Sequence, residues 1–271
     1  MATLQERSVS LDERFKELDG KYAPPAGAEL EIKRQQVSAA DANFQIMAAS
    51  PASDADLLDA LMEHPAAMDQ EWTRRLLARH ANLSEQAVKV LMQDVSLAVL
   101  RDLAANPSLS AEVLEELFEQ DEDMWVWTNL AGNPSISDAL TVRLAAAEEL
   151  GWIGKALAKR QTLLPEVLDI LVASDNGYVR KEVARRHDLS EENMGTLMDD
   201  ENSFVRSAFA GNSSVLPDIL NHMAHNDSDS YVRYAIALNS AASYETLEHL
   251  ADDEMKVVAT AVQRNRNFTN R

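Results

Sequence analysis

The chain contains no cysteine, which excludes disulfides, iron–sulfur ligation and thiol catalysis. No stretch approaches the roughly 18 consecutive apolar residues that a membrane span requires. Residues 1–20 have no apolar core of the kind found in a signal peptide, so the sequence predicts a cytoplasmic protein with no membrane segment. Glycine is scarce, with 8 in 271 residues, and runs of β-branched residues are few. This composition favours helices over sheets.

Sequence motifs of catalysis are also missing. The chain has no phosphate-binding glycine loop, no nucleophile elbow, no His-Glu-x-x-His sequence and no His–Glu pairs of the kind used by helical-repeat hydroxylases. Its 45 acidic residues leave room for an acid/base pair, but the pattern singles none out. We therefore predict a non-catalytic protein that needs no cofactor.

An internal repeat of 26 to 27 residues runs through most of the chain. It is aligned on the residue that closes the first helix of each repeat, which we call the anchor. The anchors are Ser50, His80, Asn106, Asn133, Arg160, Arg186, Asn212, Asn239 and Asn265. In all but the last repeat, alanine stands two residues before the anchor and follows a large apolar residue, a pairing that suits close helix–helix contact. A second helix then begins at serine, as at Ser190, or at Leu-Pro, as at Leu164-Pro165.

The shared pattern is Val-Arg-x-x-Φ-Ala-x-Asn, where Φ is a large apolar residue, followed by the second helix with Leu-x-x-Leu. It covers about residues 46–265 and resembles the leucine-rich repeat variant family and, more loosely, the HEAT-like helical repeats. The resemblance implies an all-α, right-handed superhelical solenoid of about eight two-helix repeats. Family members that carry an iron–sulfur cluster use an N-terminal cysteine cluster, so that property is not expected here.

The repeat divides the chain into an array over residues 46–271 and an extension over residues 1–45. Leu11, Phe15 and Leu18 share one face of a predicted helix in the extension. The extension is therefore either a cap on the first repeat, the interpretation we favour, or a detachable arm that binds a partner. At the other end, residues 262–271 start a ninth unit that we expect to act as a polar end-cap.

The net charge of −20 is unevenly distributed. The ten-residue windows that end at the eight anchors from His80 to Asn265 carry a net charge of +12, and the rest of the chain carries −32. By resemblance to HEAT-like stacking, the first helices line the concave wall, so we expect a basic inner wall and an acidic outer one. The total charge argues against general attraction to nucleic acid or anionic lipid.

Two columns of the repeat each leave two interpretations open. Six residues before the anchor, arginine recurs at Arg74, Arg180, Arg206 and Arg233. These arginines either form an internal ladder with loop aspartates or face the concave groove. Eight residues before the anchor, an aromatic residue recurs at Trp72, Trp125, Trp152, Tyr178, Phe204 and Tyr231. We expect these rings to wedge between repeats; the alternative is an exposed binding ridge beside cations. The anchor asparagines are predicted to satisfy backbone groups at helix ends.

These features favour a monomeric protein-interaction scaffold or adaptor that binds an acidic segment of a partner protein along the basic wall. The candidate contact residues are Arg101, Trp127, Lys155, Lys159, Arg180, Lys181, Arg185, Arg206, Arg233 and Tyr234. The alternative is a nucleic-acid-binding or DNA-repair protein of the helical-repeat type, which the basic strip supports and the total charge opposes.

A weak metal candidate consists of His222, His225 and His249. His222 and His225 share a helix face, and His249 occupies the same repeat column one unit later. Three imidazoles could ligate zinc, but incidental surface histidines are the favoured interpretation.

Overall fold

The computed structural model describes residues 44–120, 122–147 and 150–269, and this part of the chain is helical with no β-strand. It contains nineteen helices: α1 Phe44–Ala49, α2 Ala55–Glu63, α3 Pro65–Met68, α4 Glu71–Ala78, α5 Glu85–Leu91, α6 Leu97–Ala104, α7 Ala111–Gln120, α8 Met124–Gly132, α9 Asp138–Ala145, α10 Leu150–Ala158, α11 Pro165–Val172, α12 Gly177–Val183, α13 Glu191–Met198, α14 Ser203–Ala210, α15 Pro217–Asn226, α16 Ser230–Leu238, α17 Tyr244–Ala251, α18 Lys256–Val262 and α19 Arg266–Thr269. The predicted helix in the extension lies outside the described residues, so both interpretations of the extension stay predictions.

The chain divides into two compact units, Met1–Ser137 (unit 1) and Asp138–Arg271 (unit 2). The described part of unit 1 contains α1 to α8, and that of unit 2 contains α9 to α19. The boundary falls between the two helices of one repeat, within the range that the sequence assigns to a single array.

Within each unit the helices form two layers. The first helices of the repeats, which we call A helices, are α1, α4, α6 and α8 in unit 1 and α10, α12, α14, α16 and α18 in unit 2. Each A helix packs on the A helix of the next repeat in its unit. The second helices form the other layer, as in the contacts of α2 with α5 and of α9 with α11. The predicted helical-repeat fold is confirmed. The short helix α3 accounts for the wider gap between the anchors Ser50 and His80.

The core lies between the two layers. On α12 and α14 the inward positions are Val179, Val183, Val205 and Phe209, all fully buried. The second helices bury leucines three residues apart, as predicted for Leu114 with Leu117, Leu168 with Leu171, and Leu247 with Leu250. Ala184 and Ala210 are also fully buried, and their small side chains allow neighbouring A helices to approach closely.

Both predicted ways of starting the second helix are present. The hydroxyl of Ser190 accepts a hydrogen bond from the backbone N–H of Asn193, and Ser243 does the same for Thr246. Pro165 and Pro217 occupy the first turn of α11 and α15, where the missing N–H costs no helical hydrogen bond.

The anchors link each repeat to the one before it. The side-chain amide of Asn212 donates to the carbonyl oxygens of Ala184 (3.0 Å) and Arg186 (2.6 Å), and its Oδ1 accepts from the N–H of Ser214 at 2.9 Å. The same donation to two carbonyls of the preceding repeat recurs at Asn106, Asn133, Asn239 and Asn265. The prediction that the asparagines satisfy backbone groups is confirmed, and the groups belong mainly to the neighbouring repeat.

Arg186 shows how another side chain takes the same place. Its Nη1 donates to the carbonyl of Ala158 at 2.8 Å and to that of Arg160, and its guanidinium pairs with Asp188. The side chain is buried, so this cation belongs to the framework rather than to the surface.

Candidate partner-binding surface

The arginine column of unit 2 forms an internal ladder. Arg180 donates from Nε and Nη2 to the two carboxylate oxygens of Asp200, at 2.7 and 2.9 Å, and from Nη1 to the carbonyl of Ser174 at 2.8 Å. Arg206 repeats this arrangement one unit later, with the carboxylate of Asp227 at 2.7 and 3.0 Å and the carbonyl of Asp200 at 2.8 Å. Asp200 therefore joins two successive arginines, Arg180 through its carboxylate and Arg206 through its backbone carbonyl.

Arg233 continues the ladder and is only 8% exposed. It donates to the carboxylate of Asp253 at 2.6 and 3.2 Å and to the carbonyl of Asp227 at 3.0 Å. Hydrogen bonding to Asp253 raises the pKa of Arg233, as hydrogen bonding to Asp200 raises that of Arg180. The ladder interpretation therefore describes these residues, and the placement of Arg180, Arg206 and Arg233 on a partner-binding groove is corrected.

Two further candidates in unit 1 are also engaged within their own unit. Arg101 donates to both carboxylate oxygens of Asp123, at 3.0 and 2.9 Å, and this hydrogen bonding lowers the pKa of Asp123. Trp127 is half-buried and stacks on Phe118 with ring centroids 4.7 Å apart. Trp127 stands in the column where other repeats carry the ladder arginine. Both residues are therefore engaged within unit 1, and their contact with a partner stays a prediction.

The remaining candidates lie on one outward surface of unit 2, built from the A-helix positions eight, five, four and one residues before the anchor. We call this surface the A-helix face. Its members are Trp152, Lys155, Ala156 and Lys159 on or next to α10; Tyr178, Lys181, Glu182 and Arg185 on or next to α12; Phe204, Ser207, Ala208 and Gly211 on or next to α14; Tyr231, Tyr234, Ala235 and Leu238 on α16; and Val257, Thr260 and Arg264 on or next to α18.

The aromatic column of this face is exposed. The exposed fraction is 51% for Trp152, 76% for Tyr178, 65% for Phe204 and 70% for Tyr231. Our expectation that these rings wedge between repeats is wrong, and the exposed ridge is what the structure shows. The next residue of each helix, such as Val179 after Tyr178, is the buried one, and consecutive helical residues point about 100° apart.

Lysines alternate with these rings. The Lys155 Nζ lies 5.2 Å from the ring centroid of Trp152, and the Lys181 Nζ lies 5.8 Å from that of Phe204. In the described residues, no carboxylate forms an ion pair with Lys155, Lys159 or Lys181. Arg185 pairs with Glu182 on its own helix at 3.2 Å, an exposed pair of the kind worth about 0.2–1 kcal/mol.

Two grooves cross the A-helix face. The basic groove, between α12 and α14, has a volume of about 450 Å³ and is lined by Lys181, Arg185, His187, Phe204 and Ser207 with neighbouring small residues. The tyrosine groove, between α16 and α18, has a volume of about 340 Å³ and is lined by Tyr234, Lys256, Val257, Thr260, Ala261 and Arg264. Of the ten candidates from the sequence, five lie on this face: Lys155, Lys159, Lys181, Arg185 and Tyr234.

The histidines of the weak metal candidate lie on the second helices of unit 2. The rings of His225 and His249 stack with centroids 3.8 Å apart and an interplanar angle of 10°. Imidazoles that share an ion point their nitrogens at it in the plane of each ring, which is not the arrangement of two parallel stacked rings. Within the described ranges, no group of three possible ligands is placed to hold a metal ion.

Among the helices of the described residues, none is both long enough and apolar enough to span a bilayer. No family model matches the chain, and no curated protein matches it in sequence. Among solved structures, it is similar to "a leucine-rich repeat variant with a novel repetitive protein structural motif", with 25% sequence identity and a TM-score of 0.57. The match covers 79% of this chain and 85% of that one. The resemblance inferred from the repeat pattern is thereby confirmed at the level of the fold, which is suited to a scaffold or interaction role.

Proposed function

We propose that this protein is an interaction module that binds an acidic segment of a partner protein on the A-helix face of unit 2. The observation that carries the proposal is the row of exposed aromatic rings interleaved with Lys155, Lys159 and Lys181, for which the described residues provide no carboxylate partner. Stacked helical repeats provide extended binding surfaces without catalytic residues.

Aromatic rings and cations contribute differently to such a site. Exposed rings such as Tyr178 and Phe204 supply large apolar contact area with few rotatable bonds to immobilise. The lysines attract and orient a negatively charged segment, which chiefly sets the association rate and the specificity. Because the net charge of the chain is −20, long-range attraction to nucleic acid is weak.

The test uses a labelled peptide of glutamates interspersed with leucines, titrated by fluorescence anisotropy. We expect binding that weakens as salt is added, because the attraction is between exposed charges. Replacing Lys155, Lys159 and Lys181 together by glutamate should reduce affinity by about tenfold or more while thermal stability is retained. Lys89→Glu, at an exposed position of α5 in unit 1, is the control for replacing a lysine by glutamate away from the face.

Three results would contradict the proposal. The peptide could fail to bind, the triple variant could bind it as well as the original protein, or duplex DNA could bind more tightly than the peptide with a steep salt dependence. The last result would support the nucleic-acid alternative.

We also propose that the protein acts as a monomer. The acidic loops of a second copy are a competing occupant of the basic face, and analytical ultracentrifugation distinguishes the two. A dimer that dissociates when Lys155, Lys159 and Lys181 are all replaced by glutamate would show that the face binds a second copy of this chain.

A further inference from the structure

We infer that the A-helix face of unit 2 is bipartite: an acidic side chain of the bound segment occupies the basic groove, and an apolar side chain about five or six residues away occupies the tyrosine groove. The inference rests on the function proposed above and specifies the kind of segment that the face accepts.

The composition of the face changes along the stack of A helices. The positions on and next to α10 and α12 include four cations, Lys155, Lys159, Lys181 and Arg185, against the single acid Glu182. The corresponding positions on and next to α14 and α16 carry no charged residue and include Ser207, Gly211, Tyr234 and Leu238. An acidic side chain would therefore find four cations at the α10–α12 end of the face, none at its centre, and two, Lys256 and Arg264, beside α18.

The basic groove is suited to a carboxylate. Lys181 and Arg185 supply charged donors, Ser207 supplies a hydroxyl, and Phe204 forms an aromatic wall. His187 also lines the groove, and its Nδ1 lies 2.7 Å from the hydroxyl of Ser214, which fixes the orientation of the ring. A guanidinium and an ammonium beside one open groove can each hydrogen-bond a carboxylate oxygen.

The tyrosine groove offers apolar surface instead. Tyr234, Val257 and Ala261 line it, and Val257 is 54% exposed. Leu238 on α16 is also exposed. The cations Lys256 and Arg264 contribute aliphatic stems to the lining while their charged ends can remain hydrated. Covering Val257 and the ring of Tyr234 with an apolar side chain removes apolar area from water, which is favourable in proportion to that area.

The spacing follows from the stacking of the helices. The basic groove lies between α12 and α14 and the tyrosine groove between α16 and α18, so the two are separated by two A-helix steps. Packed helices lie about 8–10 Å apart, which gives about 16–20 Å. An extended peptide advances about 3.3 Å per residue, so five or six residues cover this distance.

The spacing is tested with synthetic peptides that carry a Glu-Glu pair and a Leu-Leu pair in a serine- and threonine-rich background. The two pairs are separated by two, five or eight residues and placed in both orders. We expect the five-residue spacing to bind about tenfold more tightly than either other spacing in at least one order. Peptides with only the acidic pair or only the leucine pair should bind as weakly as the mismatched spacings.

Variants of the protein assign each pair to its groove. In Lys181→Glu, the Glu-Glu pair should no longer increase peptide affinity, while the Leu-Leu pair still does. In Val257→Asp, the Leu-Leu pair should no longer increase affinity, while the Glu-Glu pair still does. Lys89→Glu and Val95→Asp make the same chemical changes at exposed positions of unit 1, where Val95 is 97% exposed, and should leave both benefits intact.

The two proposals can fail separately. If acidic peptides bind with no preferred spacing and Val257→Asp has no effect, the bipartite site is overturned and the acidic-segment function stands. If no peptide binds in any arrangement, both are overturned.

Discussion

Both units carry cations on their A helices, but the two units use them differently. In unit 1, Arg75 and Arg79 both donate to the carboxylate of Asp102, at 2.7 and 2.6 Å, and Asp102 lies on the next A helix, α6. Arg101 is held in the same way by Asp123. In unit 2, the corresponding positions carry Lys155, Lys159 and Lys181, and the described residues place no carboxylate against them.

The difference teaches that charge sorted by helix does not identify a binding surface. A cation on an A helix becomes part of the framework when an aspartate of the next helix or loop is within reach, as Asp102 and Asp123 are. It remains available to a partner where no carboxylate is within reach. Ala208 stands on α14 where Asp102 stands on α6, and Glu182, at the same position of α12, pairs with Arg185 instead of with Lys155 or Lys159. Unit 2 contains both kinds of cation: its ladder arginines are paired with aspartates and belong to the framework, and its face lysines are unpaired and available to a partner.

The largest expected change in the free energy of unfolding distinguishes the ladder arginines of unit 2 from its face lysines. Arg233→Met leaves the largely buried carboxylate of Asp253 without its partner, and breaking such a pair costs about 3–5 kcal/mol. Lys155→Met removes the same charge from the face and should change the free energy of unfolding by about 0.5 kcal/mol or less. Urea denaturation of both variants makes the measurement. Equal losses would show that the ladder and the face are not distinct.

A smaller loss is expected from overfilling the contact between A helices. Ala184→Leu places extra volume at a fully buried position of α12 and should cost about 1–3 kcal/mol. Ala104→Leu tests the equivalent position of unit 1, where Ala104 is also fully buried, and should cost a similar amount. Thermal denaturation checks both. An unchanged melting temperature for both variants would mean that the alanine column does not mark the helix contact.

The framework was predictable from the sequence because its columns meet a demand in every repeat. Two backbone carbonyls of the preceding repeat need donors, so asparagine recurs at the anchor, and close packing leaves room only for alanine two residues earlier. The arginine column remained ambiguous because its partner is distant in sequence. The useful signal was an aspartate 20 or 21 residues after each arginine, as in Arg180 with Asp200 and Arg206 with Asp227.

The exposure of the aromatic column follows from the helical face that it shares with the lysines. Trp152, Lys155, Ala156 and Lys159 have the spacing i, i+3, i+4, i+7, which is that of a single helical face. Since two of these positions are lysines, the ring that shares their face also had to be exposed. The paired state of Arg101, by contrast, was not predictable from its own repeat, because it depends on a loop aspartate of the next one.

Acid should weaken the ladder, because its aspartates stabilise the fold only while they are ionised. Burial alone would raise the pKa of Asp253, but hydrogen bonds from Arg233 and from the backbone N–H of Met255 lower it below its usual value. A carboxylate with a lowered pKa stabilises the fold above its unfolded pKa of about 3.9, and this contribution is lost as the pH falls through the folded value. The melting temperature should therefore decrease as the pH is lowered below about 4.

The variant Asp253→Asn isolates this contribution. It should be less stable than the original protein at pH 7, and the difference between the two melting temperatures should shrink as the pH is lowered below about 4, because the original protein then loses the same charge. Taking the difference removes the general effect of acid on a chain with a net charge of −20. A difference that stays constant from pH 7 to pH 2 would contradict the role of the Asp253 carboxylate.

The smallest effect should come from making unit 1 resemble unit 2. Asp102→Asn removes the charge that holds Arg75 and Arg79, and Arg75 already lies 4.9 Å from the exposed ring of Trp72. The change is made in the background in which Lys155, Lys159 and Lys181 are all glutamate, so that binding by the face of unit 2 is already weak. Affinity for the glutamate-rich peptide should then rise by about two- to fivefold, because two cations beside an aromatic ring become available.

Asp56→Asn, on α2 of unit 1, is the control, because it makes the same change in charge away from these arginines. If neither substitution increases peptide binding, pairing with Asp102 is not what keeps the cations of unit 1 from binding an acidic partner.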